Sequence, residues 1–135
     1  MLLNRVSHKI CHARGYVLES RFKVTIVWLI LDGKVERALK MLAEHYGTSV
    51  PTLKVGLPKG RKRTAAGCYN ARTRTIQVLD SDALKNPFVI LHEFYHHLRT
   101  TVNAKHLGTE KYANQFAKEY IQAFKTATAA VSGND

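Results

Sequence analysis

Two histidines four residues apart, with a glutamate directly after the first, stand inside an apolar run: Ile90-Leu91-His92-Glu93-Phe94-Tyr95-His96. On an α-helix four residues advance about one turn, so the imidazoles of His92 and His96 leave the same face and can bind one metal ion. Glu93 stands about 100° round the helix, where its carboxylate can reach a water held on the ion's open side and serve as general base. The chemistry this arrangement supports is hydrolysis by a metal-activated water. The competing reading is a pair of hydrogen-bonded core histidines, with Glu93 matched to a basic neighbour.

The segment that carries them must be a helix against the core. Pro87 suits a first helical turn, and Phe88, Leu91, Tyr95 and Leu98 recur at spacings of three and four, a core-facing stripe. On such a helix a charged Glu93 and two imidazoles are costly unless they have partners.

A catalytic zinc takes three protein ligands and keeps one position for water. Downstream donors are His97, His106, Glu110 and Glu119. His97 points about 100° away from His96 and reads as structural or solvent-facing. Gly108-Thr109 opens a second helical pattern in which Tyr112, Phe116, Tyr120 and Phe124 recur every fourth residue, with Glu110 in its first turn. Laid antiparallel to the first helix, that turn can present Glu110 to the metal. An acid is also favoured at a helix N-terminus by the helix dipole alone. Glu119 belongs to the solvated side, and His106, in the loop before the helix, is the alternative third ligand.

The block from Ile90 to Leu98, followed by Glu110-Lys111-Tyr112-Ala113-Asn114-Gln115-Phe116-Ala117 and preceded by the strand Thr75-Ile76-Gln77-Val78, resembles the ImmA/IrrE metallopeptidases. Their pattern is HExxH and then an acid shortly before an Ala-Asn-x-Phe-Ala helix. The resemblance implies a small α+β zincin of the HExxH…E, gluzincin-like type. It implies one Zn2+ on His92, His96 and Glu110, Glu93 as general base, and a specific intracellular protein, such as a transcriptional repressor, as substrate. The family commonly has glycine where Tyr95 stands, and its Leu-Leu-Met-Pro continuation is missing here. SprT-like proteases are similar too and use a third histidine, for which His106 would serve.

Composition agrees with a small enzyme. The 135 residues, 45% of them hydrophobic, can build one core. Cys11 and Cys68 form no CxxC pair, so reduced thiols are expected and a disulfide framework is not. Val24 to Leu31 is the longest apolar run, far short of the roughly 20 residues that cross a bilayer, and it lacks the features of a secretory signal. A cytoplasmic protein without membrane partners is expected.

Along the chain, residues 1–15 read as a basic arm, 16–131 as a single metallopeptidase domain, and 132–135 as a frayed tail. Arg21 to Leu31 fits a strand by its β-branched residues, or a helix. Val35, Ala38, Leu39, Leu42, Ala43 and Tyr46 trace a support helix closed by Gly47; His45 near its end is assigned no chemistry. Thr52 to Leu57, Ala66 to Asn70 and Thr75 to Leu79 read as strands of a three- or four-stranded twisted sheet, the last two joined by a turn at Ala71 to Thr73. The edge strand of that sheet should border the cleft, where an extended peptide can add by main-chain pairing, with Gly67 and Tyr69 close by. Tyr69, Tyr95 and Tyr112, with His106, are candidates to hold an oxyanion or substrate.

Lys and Arg outnumber Asp and Glu by 21 to 10, a net charge of +11. Lys59, Arg61, Lys62 and Arg63, with Arg72 and Arg74 across the expected hairpin, could gather this charge on one side and hold nucleic acid without sequence preference, which would suit a peptidase whose substrate is a DNA-associated protein. No nucleic-acid-binding motif accompanies the cluster. A second class of function therefore stands beside the peptidase: a non-catalytic basic module for nucleic acid or a protein partner on a zincin scaffold.

Overall fold

A computed structural model describes residues 18–60, 66–102 and 109–132. The basic arm, His106 and Arg61, Lys62 and Arg63 lie outside the described residues. The architecture is α+β. Helix α1, over residues 18–31, is followed by α2 (Val35–Tyr46), strands β1 (Thr52–Val55), β2 (Gly67–Asn70) and β3 (Thr75–Val78), a single 3-10 turn (Ala83–Lys85), and helices α3 (Pro87–Val102) and α4 (Thr109–Ser132).

The ambiguous segment Arg21 to Leu31 is a helix. A strand would alternate and bury Trp28 together with Ile26 and Ile30. Instead Ile26, Val27, Leu29 and Ile30 are buried at helical spacing, while Trp28 is 51% exposed. Gly33, at φ +81°, ends α1: its N–H reaches the Ile30 carbonyl and that of Lys34 reaches the Leu29 carbonyl, the paired bonds that satisfy a helix's last carbonyls. In α2, Val35, Ala38, Leu39, Leu42 and Ala43 face the core as their spacing predicts.

Among the described residues the sheet has three strands in the order β1-β3-β2, with β3 parallel to β1 and antiparallel to β2. Being central, β3 buries Thr75, Ile76 and Val78. Strand β1 stops at Val55, two residues short of the expected Leu57, because Gly56 turns away at φ +108°. The β2–β3 turn is held by the Asn70 Oδ1, which accepts from the N–H groups of Arg72 and Thr73, a local bond asparagine favours. The expected connector at Ser81 to Leu84 is a 3-10 turn one to two residues later.

Helix α3 begins where Asn86 Oδ1 accepts from the N–H groups of Phe88 and Val89 at 3.0 and 3.4 Å. Such an N-cap is worth about 1 kcal/mol. Val89, Ile90, Leu91 and Phe94 then join Ile76 and Val78 of β3, the α1 and α2 stripes, and Ala117 and Tyr120 of α4 in one core. Ala113 and Ala117, both fully buried, are small enough to let α4 approach α3 closely. The four-residue aromatic repeat of α4 drifts round the helix by about 40° per step. Tyr120 is thus buried, Phe116 and Phe124 are half-buried and Tyr112 is 42% exposed. Among the described residues no helix is long and apolar enough to cross a membrane.

Candidate metal centre

One turn of α3 separates His92 from His96, and their Nε2 atoms stand 3.3 Å apart. The first turn of α4 brings Glu110 to them: its Oε2 lies 3.2 Å from His92 Nε2 and its Oε1 2.7 Å from His96 Nε2. Two imidazole nitrogens and a carboxylate oxygen within 4.8 Å of one another are a donor set that could hold a metal ion. Four ligands on a tetrahedron with metal–nitrogen bonds of about 2.05 Å sit about 3.3 Å from each other. The His92–His96 and His92–Glu110 separations fit that spacing, and the shorter His96–Glu110 separation is that of a charge-assisted hydrogen bond. The histidine side chains are 13% and 16% exposed against 75% for Glu110, so the group is closed toward the core and open toward solvent.

Burial is the main cause that pushes the His96 pKa below its ordinary value; the neighbouring Glu110 carboxylate opposes the shift and His92 adds to it. A neutral imidazole with a free lone pair is the form that binds a metal. The Nδ1 of His92 is buried with no hydrogen-bond partner among the described residues, whereas metal-ligating histidines usually donate through their second nitrogen.

Glu93 turns to the neighbouring face of α3, toward β2. It is 6% exposed and borders the same cleft as His92, His96 and Glu110, together with Gly67, Cys68, Tyr69, Ala71 and Thr100, a space of about 470 Å3. Gly67 is what lets β2 come so near. A Cβ there would stand 2.9 Å from Val89 Cγ1, 3.3 Å from the Gln77 carbonyl and 3.4 Å from Glu93 Cγ. By the β2–β3 register, Leu79 N–H bonds to the Ala66 carbonyl, so alternate residues Cys68 and Asn70 turn their main chain to β3. The main-chain groups of Gly67 and Tyr69 then face the edge of the sheet that no other strand pairs with among the described residues.

His97 is fully buried and not solvent-facing. Its Nε2 lies 2.7 Å from the Ser49 carbonyl and its Nδ1 2.7 Å from the Tyr69 hydroxyl. Burial is the main cause lowering its pKa, opposed by the bond to Ser49 and aided by the positive charge of Arg74. Of the three tyrosines expected near substrate, only Tyr69 lines the cleft. Tyr95 sits on the far side of α3, its ring against Phe116 and its hydroxyl accepting from Arg99 Nε at 2.8 Å, because it lies about 100° round the helix from His96. Tyr112 faces outward on α4 and is not among the residues bordering the cleft. Glu119 is on the exposed side of α4. Of the basic cluster, Lys59, Arg72 and Arg74 are described and exposed, the last two in the β2–β3 turn next to Ala71 at the cleft's rim. Thr100 was not legible as a cleft residue from sequence; one helical turn beyond His96, it was within reach of the same spacing rule that paired the histidines.

Compared with known proteins, the chain matches no protein-family model, no curated protein and no solved structure.

Proposed function

We propose that this protein is a zinc-dependent endopeptidase acting on a polypeptide. The observation that carries the reading is the convergence of His92, His96 and Glu110 in one open cleft that Glu93 also borders. A zinc ion on those three residues would polarise a peptide carbonyl and bring a bound water's pKa toward neutrality. Glu93, from the next face of α3, takes a proton at its carboxylate and returns it to the leaving amine. Glu93 is buried where it borders the cleft, which limits the water around it. The open edge at Gly67 and Tyr69 offers an extended peptide main-chain pairing alongside the metal ligands. A purely structural site has no need of an acid beside an open position, which favours the peptidase over the binding module. The resemblance to ImmA/IrrE metallopeptidases points the same way, toward one specific cellular protein as substrate.

The test is a cleavage screen of zinc-loaded wild type and Glu93→Gln against a proteome-derived peptide library. Wild type should cut a restricted set of sequences, and Glu93→Gln should bind one zinc per chain yet cut at least about a hundredfold more slowly. Zinc-loaded Glu93→Gln with undiminished turnover would refute the role of Glu93.

A further inference from the structure

Resting on the metallopeptidase reading, we propose that Tyr69 and Thr100 form a subsite of hydrogen-bond acceptors, beyond His96 in the cleft, which takes a main-chain N–H of the peptide substrate. A tyrosine beside a hydrolytic centre invites the opposite role, donation to the oxyanion. The hydrogen bonds around His97 argue against it. The Ser49 carbonyl can only accept, so His97 Nε2, 2.7 Å away, carries a proton. His97 is fully buried and both its hydrogen-bond partners are uncharged, so the ring holds that one proton and its Nδ1 is bare. The Tyr69 hydroxyl, 2.7 Å from Nδ1, must then donate inward.

The hydroxyl of Thr100 is committed as well. Its Oγ1 lies 3.0 and 3.1 Å from the carbonyl oxygens of His96 and His97 and 3.5 Å from the Tyr69 hydroxyl. Whichever of the three takes its proton, the proton stays inside the protein. Both residues border the cleft, and what their oxygens can offer a ligand is lone pairs. A developing oxyanion would be repelled there, whereas an amide N–H is matched. A peptide along the β2 edge carries such a group at every residue except proline, so proline is excluded at the position facing Tyr69.

The probe is an alanine tetrapeptide hydroxamate and the series in which each amide N–H in turn is replaced by an ester oxygen, measured by calorimetry on zinc-loaded protein. In wild type the ester at the position facing Tyr69 should weaken binding about five- to tenfold, and in Tyr69→Phe that penalty should disappear while those at amides paired with the β2 main chain persist. A series in which Tyr69→Phe erases no penalty overturns the subsite. Imidazole 15N spectra of the metal-free protein supply the second arm: His97 should be protonated at Nε2 and bare at Nδ1. The other tautomer, or a doubly protonated ring, overturns the subsite while leaving the peptidase reading intact. The expected tautomer with no hydroxamate binding overturns the metal reading, and the peptide subsite with it.

Discussion

His96 Nε2 and Glu110 Oε1 meet at 2.7 Å although one belongs to α3 and the other to the first turn of α4. The sequence spacing of the two histidines is enough to place them on one helical face, but the acid arrives only because α4 packs closely on α3 through Ala113 and Ala117.

Metal content should therefore depend on both helices. Wild type should bind one zinc per chain, and His96→Ala and Glu110→Ala should each lose more than about a hundredfold in affinity. A free zinc concentration near a hundred times Kd should stabilise the wild type by about 2.7 kcal/mol, a rise in Tm of roughly 10 °C that Glu110→Ala does not show. Elemental analysis and thermal melts with and without chelator check both.

Acid should destabilise the metal-free protein. The pKa values of His96 and His97 are lowered on folding, chiefly by burial. Below the ordinary histidine value of about 6.5 the unfolded chain takes up protons that the folded one refuses. Stability is thus present above that pH and lost as pH falls from there through the folded values. Melting curves between pH 7.5 and 5 should show Tm falling with acidity, and His97→Gln, which removes one of the two groups, should flatten the slope.

Alkali should act on a different pair. The hydroxyls of Tyr46 and Tyr120 are 2.6 Å apart, and burial raises Tyr46 from 10.0 to about 12 and Tyr120 further. A raised folded pKa contributes stability that is complete below the unfolded value and fades as pH rises through the folded one. Ultraviolet titration should find these two phenols silent at pH 10 to 11. Tyr46→Phe, which strands the buried Tyr120 hydroxyl, should cost about 1–2 kcal/mol by urea denaturation.

Gly67→Ala should separate binding of the ion from use of it. The added Cβ would stand 2.9 Å from Val89 Cγ1 and 3.4 Å from Glu93 Cγ, an overpacking that costs about 1–3 kcal/mol and displaces Glu93 or β2. The candidate ligands His92, His96 and Glu110 are elsewhere, so zinc stoichiometry should remain one while peptide cleavage falls. A variant that cleaves as wild type does would show that the close approach of β2 is immaterial to the chemistry.

Much of this was readable because it is local. HExxH spacing, the helix start at Pro87, the α2 stripe and the turn at Ala71 to Thr73 each follow from contacts between residues a few positions apart. Segment 21–31 was not decidable in isolation, since β-branched composition favours a strand and only the exposure of Trp28 separates the two periods. The aromatic repeat of α4 was legible but misleading at Tyr112, because a period of four overruns 3.6 residues per turn. Least visible was the Ser49–His97–Tyr69 chain, whose partners lie 48 and 28 residues apart. No periodicity encodes it, and His97 looked like a bystander to its neighbour.

Because its donors sit on two separate helices, an ion here would act as a removable rivet. Stripping it with a chelator should leave the apolar body of α1, α2 and β3 intact, while the opening turn of α4 exchanges its amide hydrogens faster. The same helix that completes the candidate metal centre would then report, from a distance, whether an ion fills it.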